Sequence, residues 1–336
     1  MADYGQRVTD GAVSSVSRKL RKVYKQAEKD LNQKLLSFRK RFAAQQKRMT
    51  AALNAGEISK AEYESWLRGQ VFRGKRWEAK LTQLTRLIHK TNNIAGEIIR
   101  KIKIFVFGEN YNHNAYETEI NTGISFDIYN EDAVEKLIKE DPKMLPEWRI
   151  DEEKDYIWNR QKVENAITQG IIQGESVDQI AERLASTLSS TNMNKMRMFA
   201  RTAMTGAQNA GRQKQMEDAI ARGIKVRKQW LATLDTRTRD THQRLDGQTV
   251  AVNESFHVNT KNGAESIRYP GDPNADPALV YNCRCTMKQV IEGTEGFKRT
   301  RRAYDEPDET GRRNSYIVEN MTYLEWLEWK RRNGRK

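Results

Sequence analysis

Cysteine is almost missing from this 336-residue chain: there are two, separated by a single residue, too few and too close for a disulfide framework. Long apolar runs are missing as well. No stretch approaches the roughly 18 apolar residues that a membrane-spanning helix needs. The amino terminus, MADYGQRVTDG, has no apolar signal core, so a protein that stays in the cytosol where it is made is expected. Motifs of the common enzyme classes are absent too: there is no Walker A loop, no G-x-G-x-x-G, no H-E-x-x-H and no G-x-S-x-G. Carboxylates are plentiful, yet no pair stands out as an acid/base couple. Hydrophobic residues make up 37% and charged residues 31%, which suits elongated helices and exposed interaction surfaces better than one large globule. The length allows two domains or three.

What is present is positive charge, unevenly placed. The net charge is +14. Residues 1–104 hold 24 Lys and Arg against 9 Asp and Glu, residues 105–296 hold 24 against 29, and residues 297–336 hold 11 against 7. A basic arm on a near-neutral body is either an electrostatic footprint for nucleic acid or a solvated helix face. Within the arm Leu20, Val23, Ala27, Leu31, Leu35, Phe38 and Phe42 recur at steps of three and four, an amphipathic helical stripe. Arg18, Lys19, Arg21, Lys22, Lys25, Arg39, Lys40 and Arg41 surround it and are the candidate DNA contacts. Asn54-Ala55-Gly56 breaks the pattern and Ser59 caps a second stretch. The stripe returns from Trp77 through Leu81, Leu84, Ile88, Ile94, Ile98 and Ile102 to Phe105. Residues 13–107 are therefore expected to form a helical hairpin or small bundle, buried against a partner helix or another subunit.

Further along, Gly108–Asn114 (GENYNHN) reads as a loop and Ile124–Tyr129 as a short strand. Glu131–Glu140 reads as an acidic helix stopped by Asp141-Pro142. Residues 109–164 carry 15 acids and 7 bases, suited to pairing with basic helices. His89 and His113 have no companion ligands and read as structural or exposed. Helices are expected at Asp151–Gln173, at Ser176–Leu188 with Ser176 as N-cap, and at Asn192–Arg222, ended by Gly223. In the last of these Ala200, Ala203, Gly206, Ala207, Ala210 and Gly211 permit close packing without marking chemistry. Phe297–Asn314 reads as a charged linker. Tyr316–Arg332 reads as a final helix, a docking element by virtue of Tyr323, Trp326, Leu327 and Trp329.

The chain is organised around residues 225–291. Val226, Lys228, Trp230, Ala232 and Leu234 alternate with their neighbours as a half-buried strand does. Asp235 is a good N-cap for a short helix over Thr236–Leu245, with Gly247 as its C′ residue. Asp235, Arg239 and His242 would then share one helix face and form a packed polar network. A second extended run follows at Thr249–Val258, and after a Pro-Gly-rich loop a third strand carries Cys283, Arg284 and Cys285. Side chains two apart on a strand share a face, so the two sulfurs can sit side by side. With His242 and His257 they would complete a tetrahedral zinc set, Asp235, Asp240 or water replacing either histidine. The plainer alternative makes both cysteines small buried hydrophobes, His242 a surface residue and Asp235 a cap. The same cluster beside Arg237, Arg239 and Arg284 would be the starting point for a metal-dependent nuclease, the arginines holding a phosphate.

The order W-x-A-T-x-D-x-R-T-R-D-x-H-x-x-L-x-G-Q, then a Phe, a P-G-D-P loop and N-C-R-C-T, closely resembles the Mu F-like family of tailed-bacteriophage minor head proteins, also called head morphogenesis proteins. Trp230, Asp235, Arg237, Thr238, Arg239, His242, Leu245, Gly247, Phe256, Pro270, Gly271, Pro273, Asn282, Cys283, Arg284 and Cys285 carry the match. The helical lead-in with FARTAMTGAQNAGR also looks like the family, except that Ala203 stands after Arg201-Thr202 where an acidic residue is common. Some phage head proteins have been compared with ADP-ribosyltransferases, but the strand-borne Glu-x-Glu expected of such an enzyme is absent. The resemblance covers roughly residues 160–292. It implies a non-enzymatic virion component, assembled in the host cytoplasm, that associates with the portal and the major capsid protein and with packaged DNA; the basic arm, which has no base-reading motif, is expected to bind double-stranded DNA without sequence specificity. The expected class is α+β, in four segments: a basic helical arm (1–107), an acidic mixed connector (108–159), the family domain (160–292), and a charged linker with a docking helix (293–336).

Overall fold

The computed structural model describes residues 4–72, 75–145, 151–173, 175, 177–233, 235–261, 263–293, 300–304, 315–319 and 323–333. Six helices come first: α1 (Tyr4–Asn54), α2 (Lys60–Phe72), α3 (Lys75–Thr122), α4 (Glu131–Glu140), α5 (Glu152–Ile172) and α6 (Val177–Ala221). A small mixed region follows, with β1 (Val226–Leu231), α7 (Asp240–Leu245), β2 (Thr249–Ala251), β3 (Phe256–Thr260), β4 (Gly263–Ile267), α8 (Pro277–Val280) and β5 (Thr286–Ile291). The tail adds β6 (Thr300–Tyr304), β7 (Ser315–Glu319) and α9 (Tyr323–Asn333). The class is α+β, long helices preceding a few antiparallel strands. Two compact units emerge, each discontinuous in sequence: one takes residues 1–15, 99–147 and 198–336, the other 16–98 and 148–197. They cut across the linear segments above because α1, α3 and α6 each contribute to both.

The unit of residues 16–98 and 148–197 is all helical. Its core is the stripe legible in sequence: Leu31, Leu67, Leu81, Leu84 and Ile88 pack with Val163, Ile180, Leu184 and Leu188. A capping box starts α2, with Glu62 N donating to Ser59 Oγ at 3.2 Å and Ser59 N to Glu62 Oε2 at 2.8 Å. Arg18, Lys19, Arg21, Lys22 and Lys25 lie exposed around buried Leu20, Tyr24 and Ala27. The side chains of Leu35, Phe38, Arg39, Lys40, Arg41, Phe42 and Trp77 lie outside the described ones, as does Ser176. The bundle also buries a polar lattice. Asn92 Nδ2 donates to the Asp155 carboxylate at 3.0 Å and to Asn192 Oδ1 at 2.9 Å, while Tyr24 Oη donates to Asn92 Oδ1 at 2.5 Å. His89 joins it through Asp155 at 3.3 Å. Each member of this lattice is bonded, as burial away from water demands, whereas Thr85 Oγ1 elsewhere in the bundle is buried without a partner among the described residues.

In the other unit the second half of α6 is the central element: residues 202–213 are buried on every side, which makes this a core helix rather than an amphipathic one. Around it lie the antiparallel sheet β2-β1-β5, with Trp230 opposite Met287, and the β3-β4 hairpin. On β1 alternation buries Val226, Lys228 and Trp230; Leu234 lies outside the described residues. Trp230 sits edge-on to Phe256 at 5.2 Å between ring centres, in a core completed by Leu245, Val258, Ile267, Leu279 and Val280. The final helix α9 buries Tyr323, Trp326 and Leu327. It docks on its own chain: Tyr323 meets Tyr4 and His113, Trp326 meets Tyr116, and Lys330 pairs with Glu119 at 3.0 Å.

Several expectations need correction. Residues 108–114 are not a loop, since α3 runs through them to Thr122. Asparagines usually favour turns because their side chains compete for backbone partners, but here two of the three are buried and bonded: Asn110 Nδ2 reaches Val106 O at 2.9 Å, and Asn112 bonds both the N and the O of Tyr129. That second pairing also explains why 124–129 forms no strand, its backbone being held by side chains instead. Residues 300–304, placed in a linker, form β6 and pair with β7, which replaces the start of the predicted last helix. The remainder of that linker lies outside the described residues. Among the described residues no helix is long and apolar enough to cross a membrane.

Candidate functional site

β1 runs directly into the motif. The Asp235 carboxylate accepts from Arg237 N at 3.0 Å and Thr238 Oγ1 at 3.2 Å, a local turn that competes with helix formation. Consequently α7 begins only at Asp240, with Arg239 in the cap position and no side-chain cap bond. Asp235, Arg239 and His242 therefore do not share a helix face, contrary to their spacing. Gly247 does follow the helix end with φ 77°, as its C′ role requires. α7 turns His242 and Leu245 inward, so His242 is buried rather than a surface residue.

From the other side, α8 opens with Asp276 accepting from Ala278 N at 2.7 Å and Pro277 in its first turn. The chain then passes through Asn282, left-handed at φ 56°, and extends toward β5. Cys283 and Cys285 precede that strand rather than lying on it, but the extended backbone still turns both sulfurs the same way. Both cysteines are buried, and His242 Nδ1 lies 3.6 Å from Cys283 Sγ and 3.4 Å from Cys285 Sγ. The three donor atoms all fall within 4.8 Å of one another. His257 is elsewhere: exposed on β3, its backbone paired with Gln248. Asp240 is exposed, and Asp235 is taken by Arg284 in a bidentate pair at 2.6 Å on each side. None of the three joins the cluster. Arg237 reaches Asp235 at 3.5 Å and is largely exposed, while Arg239 donates to Tyr281 O.

The electrostatics of the cluster are asymmetric. Hydrogen bonding from Cys283, and then from His242, holds Cys285 below the ordinary thiol range. Cys283 is pushed up by its bond to Cys285 and by burial. The two thiols titrate as a pair, loss of the first proton opposing loss of the second. Bonding to Arg284 keeps the Asp235 carboxyl well below the usual carboxylate range.

A third element positions the cysteine segment, and sequence reading missed it. One face of α6 bonds the backbone of residues 270–287. Thr205 Oγ1 donates to Cys283 O at 2.7 Å, and Asn209 Nδ2 to Pro270 O at 3.0 Å and Cys285 O at 3.3 Å. Met287 N donates back to Asn209 Oδ1 at 3.0 Å, and Arg212 reaches Met287 O at 2.7 Å. Asn282 N donates to Thr202 Oγ1 at 3.1 Å. The signal was present as polar residues at helical spacing among the alanines and glycines of this helix. Close approach comes from Gly206, where an added Cβ would stand 2.7 Å from Gly271 O.

Comparison with known proteins finds the same segment elsewhere. Residues 161–288 match the family described as Phage Mu protein F like protein. Over 91% of its length, and 93% of the other's, the chain is 27% identical to the minor head protein GP7 of Bacillus phage SPP1. Residues 161–288 thus carry a sequence pattern similar to the Mu F-like family. A second match is partial: 37% identity over 133 residues, 40% of this chain but 26% of the NAD(+)–arginine ADP-ribosyltransferase EFV of Enterococcus faecalis. No solved structure matches the chain significantly. The Mu F-like segment contains the whole His-Cys-Cys cluster and the α6 face that holds it, so the residues that carry the family pattern are largely those that assemble this site.

Beside the cluster, Lys228 is buried on β1, donating to Gln213 Oε1 at 3.1 Å and Arg268 O at 2.8 Å. Burial pulls its ammonium down to about 8, with Arg268 adding repulsion. An unfolded lysine titrates near 10.5, so between about 8 and 10.5 the unfolded chain binds more protons, and stability from this group rises with pH. Relative to Lys228→Met, the wild type should gain about 2–3 kcal/mol across that window. Urea unfolding of both proteins at each end of it gives the difference, and an unchanged difference would refute the shift.

Proposed function

We propose that this protein is a structural, non-enzymatic component of a tailed-phage head, acting in head assembly at or near the portal, in contact with the major capsid protein and with packaged double-stranded DNA. The observation that carries the reading is the colinear similarity to a minor head protein over nearly the full length of both chains. The exposed basic face of α1 supports the DNA contact. Arg18, Lys19, Arg21, Lys22 and Lys25 all point away from buried Leu20, Tyr24 and Ala27, and no base-reading motif lies among them. The enzymatic alternatives, a metal-dependent nuclease or an ADP-ribosyltransferase-like enzyme, have less support. Asp235 is engaged by Arg284, and the transferase match covers about a quarter of that protein.

The test uses the full-length chain. It should co-sediment with the portal protein of its own phage, and it should bind duplex DNA of any sequence with a steep salt dependence, because lysines and arginines displace counterions from phosphate. Changing Arg18, Lys19, Arg21, Lys22 and Lys25 to Glu should weaken DNA binding at least about tenfold and flatten the salt slope by up to about 4, while leaving the fold intact. Unaltered binding by that variant would remove α1 as the DNA contact. Absence from assembled heads, or metal-dependent DNA cleavage lost in a folded His242→Ala variant, would overturn the structural reading itself.

A further inference from the structure

We propose that His242, Cys283 and Cys285 bind one thiophilic divalent cation, zinc, and that it fastens α7 to the segment entering β5. Geometry comes first. With Zn–S near 2.3 Å and Zn–N near 2.0–2.1 Å, a tetrahedral centre separates its sulfur and nitrogen ligands by about 3.6 Å. The separations are 3.6 and 3.4 Å. A single imidazole nitrogen thus stands at ligand distance from two sulfurs at once. A simple hydrogen bond would use one of them, since that nitrogen can donate one proton to one acceptor.

The surroundings fit a thiolate centre. Cys285 N donates to Cys283 Sγ at 3.4 Å, a backbone bond that stabilises charge on sulfur and orients it. Arg239 and Arg284 place positive charge near the sulfurs, offsetting the anionic charge that two thiolates bring. The other imidazole nitrogen, Nε2, is buried and has no hydrogen-bond partner among the described residues. The imidazole is therefore aimed by packing against Trp230, whose ring centre is 5.6 Å away, leaving Nδ1 to face the sulfurs. Soft sulfur donors and a nitrogen select zinc over oxygen-seeking magnesium or calcium. On binding, any proton on either sulfur leaves to solvent, so the site is made of two thiolates and a neutral imidazole. Three protein ligands leave one position for water or another donor. His257 is not that donor, because it points to solvent from the far side of β3.

Full-length protein purified without a metal-affinity step should contain about one zinc per chain. After its removal, Co2+ should restore one equivalent and produce a thiolate-to-cobalt charge-transfer band. Cys283→Ser, Cys285→Ser and His242→Ala should each lose that band, and His257→Ala should keep it. Should the cysteine variants fail to fold, wild-type protein still decides the matter: zinc should protect both thiols from a thiol reagent and raise the melting temperature. Folded wild-type protein that gives no cobalt band, and whose thiols react at the same rate with and without zinc, would overturn the proposal. So would a His257→Ala variant that loses the band while remaining folded.

Discussion

Gly211→Ala should destabilise the protein by about 3 kcal/mol or more, an unusual outcome for a glycine-to-alanine change inside a helix. Alanine is the better helix former by up to about 1 kcal/mol, and where space is free that gain should appear. Gly11 on α1 has nothing within 4 Å of an added Cβ, so Gly11→Ala should stabilise by up to about 1 kcal/mol. At Gly211 the added carbon would instead strike the Phe107 carbonyl oxygen, with Phe107 C and Tyr111 N each 3.2 Å away. These are backbone atoms of α3 and cannot rotate aside, so α6 and α3 must separate. Overpacking typically costs about 1–3 kcal/mol, and an unyielding backbone neighbour puts this site at the upper end or beyond. Urea midpoints of the two variants should move in opposite directions. A shift in the same direction would mean that α6 and α3 do not approach this closely.

Asn209→Leu should cost about 4 kcal/mol although it keeps the branched side-chain skeleton and adds apolar area. The loss comes from backbone groups left without partners. Met287 N, Cys285 O and Pro270 O are all served by this one carboxamide, and each buried polar group stripped of its partner costs about 1–3 kcal/mol. Because those groups flank the cysteines, the same variant should also expose Cys283 and Cys285 to thiol reagents at lower urea than the wild type. An Asn209→Leu variant with unchanged stability and thiol protection would show that the contacts of α6 do not set the course of this segment.

Much of this architecture could be read from residues in order, and the failures have local causes. Strand β1 was legible because alternation along Val226–Trp230 is a property of the chain itself. The helical bundle was legible for the same reason, from steps of three and four in Leu20–Leu31 and Leu81–Ile88. His242, Cys283 and Cys285 converge as their residue types suggest, whereas His257 does not. Its neighbours Phe256 and Val258 are the inward residues of β3, and period two then sends His257 outward; the flanking pattern outweighed the ligand count. The spacing of Asp235, Arg239 and His242 misled because a carboxylate two residues before a backbone N–H closes a turn sooner than it starts a helix. Thr202, Thr205 and Asn209 escaped notice since polar residues inside an Ala-rich helix look like a solvated face until the strands that surround them are known. Asn112 of α3 misled for the opposite reason, its side chain being engaged by the backbone of Tyr129 beyond the helix.

Discontinuous units have a consequence for how the chain is made. The unit that holds the Mu F-like strands needs residues 1–15, 99–147 and 198–336 together, so its first fifteen residues wait for the segment 198–336. On a ribosome delivering residues at a finite rate, the amino-terminal helix emerges long before α6, β5 and α9 exist to receive it. Its apolar stripe must meanwhile be shielded by the growing bundle, by a chaperone or by another nascent chain. Long-range closure of this kind is slow because the entropy of bringing distant segments together is lost before contacts repay it.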